Sequence, residues 1–92
     1  MIRTFADRST ELLARGQRVQ RFVVFERVAR RKLQQLEIAG DLQDLRIPPG
    51  NHLEKLSGDR EGFWSIRIND QYRICFRWTA AGPADVQITD YH

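Results

Sequence analysis

Two arginines on neighbouring alternating runs, followed by an Asp-Tyr-His ending, are the residues of this chain best suited to phosphate chemistry. Arg67 stands in Trp64-Ser65-Ile66-Arg67-Ile68, and Arg73 in Tyr72-Arg73-Ile74-Cys75-Phe76-Arg77-Trp78. A third run from Ala84 leads to Asp90-Tyr91-His92. Cleaving RNA without a metal asks for three services. A base takes the 2′-hydroxyl proton, cations stabilise the pentacoordinate phosphate, and an acid protonates the departing 5′-oxygen. Arg67 and Arg73, one on each strand of a hairpin, can form a cationic clamp on one phosphate. Tyr91 shares their sheet face, and His92, beside Asp90, titrates near neutrality and is placed to move a proton. Each residue also has an idle alternative. Strand arginines often only solvate an open face, and a terminal histidine contributes nothing when frayed.

The elements that must hold these residues follow from hydrophobic periodicity. Trp64, Ile66 and Ile68 share one side of the first run; Tyr72, Ile74, Phe76 and Trp78 share one side of the second. Ser65, Arg67, Arg73, Cys75 and Arg77 occupy the opposite side, and Asn69-Asp70-Gln71 supplies the polar turn. The third run repeats the pattern, with Ala84, Val86 and Ile88 inward and Gln87, Thr89 and Tyr91 outward. A twisted antiparallel sheet with an arginine-bearing open face is expected. Upstream, Ile2 to Phe5 is expected as a short strand pairing with that sheet. Asp7 or Ser9 caps a helix that Gly16 ends. A second helix spans roughly Val23 to Ala39, with Phe25, Val28, Ala29, Leu33 and Leu36 as its apolar stripe. Asp41 caps one more helical turn, and Ile47-Pro48-Pro49-Gly50 breaks regular structure before an extended Asn51 to Leu56. Leu53 and Leu56 differ in strand parity, so a bulge or a short strand is expected there. The class is α+β, two to three N-terminal helices packed on one sheet face.

Ninety-two residues, 41% hydrophobic and 29% charged, make one ordered domain, 1–92, and exclude a disordered tail. The formal net charge of +3 favours an acidic or polyanionic partner. From Arg15 to Lys32 there are seven basic residues and one acidic, Glu26, which fits either a solvated helix face or an RNA or partner contact. The single cysteine, Cys75, excludes an internal disulfide. No apolar run approaches ~18 residues and no signal-peptide core is present, so no membrane association and a cytoplasmic location are expected. His52 and His92 are too isolated to found a metal site. Gly58-x-x-x-Gly62 lacks the Lys-Ser/Thr of a nucleotide-binding loop, so no cofactor is expected.

The run from Pro48-Pro49-Gly50-Asn51 through Leu56-Ser57-Gly58-Asp59-Arg60-Glu61-Gly62-Phe63-Trp64-Ser65-Ile66-Arg67 to Tyr72-Arg73-Ile74-Cys75-Phe76, with the ending Asp90-Tyr91-His92, resembles the HigB toxins of the RelE/ParE superfamily. The resemblance covers nearly the whole chain and implies a compact RelE-like microbial RNase fold. It implies an mRNA endonuclease acting on translated mRNA in the ribosomal A site. It also implies neutralisation by a HigA-type helix-turn-helix antitoxin, with operator DNA bound only through the antitoxin complex. On that pattern Arg67 and Arg73 hold phosphate, and Asp90, Tyr91 and His92 form the catalytic C-terminus. Arg60 is a candidate for RNA or ribosome contact, and Arg77 joins the RNA-binding set. Some relatives of that pattern carry a histidine where this chain has Glu54, and many carry a lysine where it has Ser57. His52 lies two residues from Glu54 on the same strand parity. His52 and Glu54 are therefore candidate RNA contacts, and a slow or attenuated enzyme is expected. The alternatives are a ParE-like gyrase inhibitor on the same scaffold and a weakly active module serving operon repression with its antitoxin.

Overall fold

The computed structural model describes residues 1–90; two candidate site residues, Tyr91 and His92, lie outside the described residues. Its helices are α1 (Arg8–Ala14) and α2 (Glu26–Ile38), and its strands are β1 (Glu54–Lys55), β2 (Trp64–Arg67), β3 (Arg73–Thr79) and β4 (Gly82–Thr89). Short 3-10 segments at Gln20–Phe25, Leu42–Arg46, Pro49–Asn51 and Gly58–Arg60 connect them. Asp7 starts α1 by accepting a hydrogen bond from the Thr10 backbone N–H at 2.8 Å. Asp41 and Asp44 form a reciprocal capping box over the Leu42–Arg46 turn.

Ala29, Leu33 and Leu36 are buried along one face of α2, with Phe25 buried just before it and Val28 half-buried. They pack on Ile66, Ile74, Phe76, Val86 and Ile88 of the sheet, all nearly inaccessible to solvent. This apolar seam is the driving force that fixes the sheet's orientation, each such side chain contributing about 1.5–3 kcal/mol of burial. Strand order is β1-β2-β3-β4, antiparallel throughout. The hairpin register pairs Trp64 with Phe76, Ile66 with Ile74, and Arg67 with Arg73. The α+β architecture expected from the sequence is therefore present, with the helices on one sheet face. No helix of the described residues is long and apolar enough to cross a membrane.

Four local expectations change. The second helix begins at Glu26, and the residues before it form a tighter 3-10 segment that buries Phe22 and Phe25. The N-terminal segment lies parallel to β4 with one bridge, Phe5 to Val86, and the bonds Arg3 N–H to Pro83 O and Val86 N–H to Thr4 O. Alternation along the third run is interrupted, because a register shift pairs Cys75 with Gln87 but Arg77 with Ala84. Ala84 is thus buried opposite an arginine, out of phase with Val86 and Ile88. Asp85, at φ 51, supplies the left-handed residue at that bulge. Lastly, the sheet face opposite the helices is not open at its middle, since Ser65 and Cys75 are both buried.

Candidate active site

Hairpin register builds the site. Arg67 ends β2 and Arg73 begins β3, so the two are direct cross-strand partners on the face away from the core. Directly opposed residues carry their Cβ atoms about 4.5–5.5 Å apart, and like charges placed so are unfavourable unless counter-charged. Each arginine has its own answer. Arg67 pairs with Asp70 in the turn. Arg73 donates from Nη1 to Ser65 Oγ at 3.0 Å and to the His52 carbonyl oxygen at 3.4 Å. Its Nη2 lies 3.7 Å from Glu54 Oε2. Glu54 reaches it because β1 pairs Glu54 with Ser65, the residue beneath the guanidinium. The Glu54 pair is loose and half-exposed, the kind of contact a phosphate oxygen displaces at little cost.

The Gly58–Arg60 turn lies between β1 and β2 and carries a third arginine. Burial pushes the Cys75 thiol up to about 11, while Arg60 and Arg73 both pull it the other way. Asp90 follows Thr89, the β4 partner of Arg73, and its Oδ2 accepts from Gln71 Nε2 at 2.9 Å. The last described residue thus sits at the Arg67–Arg73 end of the sheet, beside the β2–β3 turn.

Two sequence candidates do not join this group as expected. Arg77 donates from Nε to Asp85 Oδ2 at 2.7 Å, a half-exposed pair at the bulge and four residues along β3 from Arg73. His52 is not on a strand; it follows the Pro49–Asn51 turn in the left-handed region at φ 46. Parity with Glu54 consequently does not apply, and its contribution to Arg73 is through the backbone carbonyl while its ring is exposed. Among the described residues, no three His, Cys, Asp or Glu side chains group to hold a metal ion. Ser65 as the anchor of Arg73 was missed by sequence reasoning. The signal was present, because Ser65 is the small polar residue on the arginine side of β2.

The fold is an α+β domain with two arginines opposed at one end of a hairpin. A family model for the RelE-like toxin HigB of type II toxin-antitoxin systems matches residues 14–92, and the chain belongs to that family. Its fold is accordingly RelE-like. It is 54% identical over 48 residues to Toxin HigB-1 of Vibrio cholerae, covering 52% of this chain and 50% of that protein. It is 40% identical over 40 residues to Endoribonuclease HigB of Proteus vulgaris, covering 44% of each. The aligned stretches span about half the length of these relatives.

Proposed function

We propose that this toxin is a ribosome-dependent mRNA endonuclease that cuts translated message in the A site. In this reading it acts in the cytoplasm and is silenced by a HigA-type helix-turn-helix antitoxin. Operator DNA is then met only through the antitoxin complex. The observation that carries the reading is the Arg67–Arg73 cross-strand pair, with Arg73 held by Ser65, the His52 carbonyl and a displaceable Glu54. Family membership and the activity in the name of the Proteus relative support it.

The chemistry is transesterification. The 2′-oxygen forms a bond to the adjacent phosphorus, and the bond from phosphorus to the 5′-oxygen breaks. A 2′,3′-cyclic phosphate and a 5′-hydroxyl result. Arg67 and Arg73 stabilise the extra negative charge on the pentacoordinate phosphate, with Arg60 adding positive field from the β1–β2 turn. Glu54, beside Arg73, receives the 2′-proton once phosphate has displaced it from the guanidinium. Tyr91 and His92 follow Asp90 in the sequence, and in this reading His92 delivers the proton to the 5′-oxygen. Using Glu54 where some relatives carry histidine supports a slow enzyme.

Arg73→Ala tests the clamp. Cleavage of a programmed ribosome by this variant is expected to fall at least ~10²-fold, the loss typical of one oxyanion-stabilising donor, when assayed below its own melting temperature. Wild-type cleavage by Arg73→Ala would remove the phosphate-clamp assignment.

A further inference from the structure

The nuclease reading uses no residue of α2, yet α2 sends a buried cation toward the site. Lys32 is 7% exposed and Asn51 is fully buried. The Lys32 ammonium donates to Asn51 Oδ1, and among the described residues it pairs with no carboxylate. Asn51 Nδ2 in turn donates to Gln35 Oε1 at 3.0 Å, to Leu45 O at 3.1 Å and to Ile47 O at 3.4 Å. Both ends of the amide are thus engaged by α2, the Leu42–Arg46 turn and the loop after that turn. Burial of the ammonium, reinforced by neighbouring Arg31, lowers the lysine's proton affinity below its ordinary range. Hiding a charge opposite a neutral amide is costly compared with a methionine of the same length. A fold with an apolar alternative at this position gains something else from the pair.

The residues just after Asn51 supply the answer. His52 comes next, and its carbonyl accepts from Arg73; two further on is Glu54, the carboxylate nearest the Arg73 guanidinium. Polar contacts therefore run from α2 through Lys32 and Asn51 to the backbone at His52 and on to Arg73 and Ser65. We propose that Lys32 and Asn51 form a lock that positions Arg73, by fixing the His52–Glu54 segment against which the guanidinium is aimed. Lys32 and Asn51 are positioning residues and touch no substrate. The proposal rests on the nuclease reading for its consequence but not for its geometry.

Lys32→Met removes the charge and keeps the length. Its single-turnover cleavage of programmed ribosomes, well below the melting temperature, is expected to slow at least ~10-fold, because misplacing a reacting group by an ångström costs up to about 10². The half-saturating ribosome concentration should stay within about twofold, since uniform binding is not what the lock provides. The Nε–H resonance of Arg73, assigned by its loss in Arg73→Ala, should shift in Lys32→Met without RNA or ribosomes present. If Lys32→Met does not fold, Gln35→Met, which removes one half-buried bond to Asn51, carries the same two readouts. An unmoved Arg73 resonance in the folded variant overturns the proposal, whatever the rate; so does a wild-type rate. If wild-type protein cuts nothing, the nuclease reading fails, and the resonance alone still decides whether the lock positions Arg73.

Discussion

Arg73 and Arg77 lie four residues apart on β3, and their surroundings differ. Arg77 meets Asp85 in a close, charge-assisted hydrogen bond at 2.7 Å. Arg73 meets a hydroxyl, a carbonyl and a carboxylate at 3.7 Å, partners that hold a guanidinium in place without cancelling its charge. Arg77→Ala should leave cleavage within about twofold and cost at most ~1 kcal/mol in a denaturant melt, as for other exposed pairs. Cys75 gives a second residue-scale test. Its thiol titrates at about 11 in the folded protein against an ordinary 9.0, because burial disfavours the thiolate. The folded state then holds the proton more tightly than the unfolded state. Its contribution to stability is complete below pH 9.0 and is lost as pH rises toward about 11. Denaturant melts at pH 8.5 and 10.5 should show wild type losing on the order of 2 kcal/mol more than Cys75→Ala over that interval.

Among the elements, the β4 edge shows how the N-terminal residues serve the site without entering it. The chain from Arg3 to Ala6 covers β4 from Pro83 to Val86, and the buried Thr10 hydroxyl then accepts from the Ile88 N–H at 2.9 Å. Gly82 completes the fit, since a Cβ there would collide with the Met1 carbonyl oxygen. Thr10→Val keeps the shape of α1 but leaves the buried Ile88 N–H unpaired. We expect a loss of about 1–3 kcal/mol by thermal melting with cleavage by the folded protein unchanged. Elements were legible in the sequence wherever periodicity was local. The α2 stripe, the hairpin alternation and the Asp41 cap each depend on neighbours a few residues away. The Asp85 bulge was not legible, because it is stabilised by Thr4 and Arg77, far along the chain or across the strand. Lys32 was half legible: it falls three residues after Ala29 and four before Leu36, on the buried stripe, but only Asn51 explains a charge there.

At the scale of the whole molecule, a core made by one apolar helix face and one apolar sheet face leaves the opposite sheet face to carry Arg67, Arg73 and Arg77. The opposition of Arg67 and Arg73 was legible because a short turn between two alternating strands fixes which residues face each other. The filling of that face was not legible, since burial of Ser65 and Cys75 depends on how Arg73 and the loop before β1 fold over them. Arg60 entered through family resemblance alone. The central claim is that this face cuts mRNA on the ribosome. Primer extension on a defined message in a purified translation system, with and without the protein, tests it most directly. Cuts within codons that appear only while ribosomes translate, and that vanish with Arg73→Ala, are the expected result. An intact message under conditions where the protein still arrests growth would contradict the account and redirect attention to a protein target.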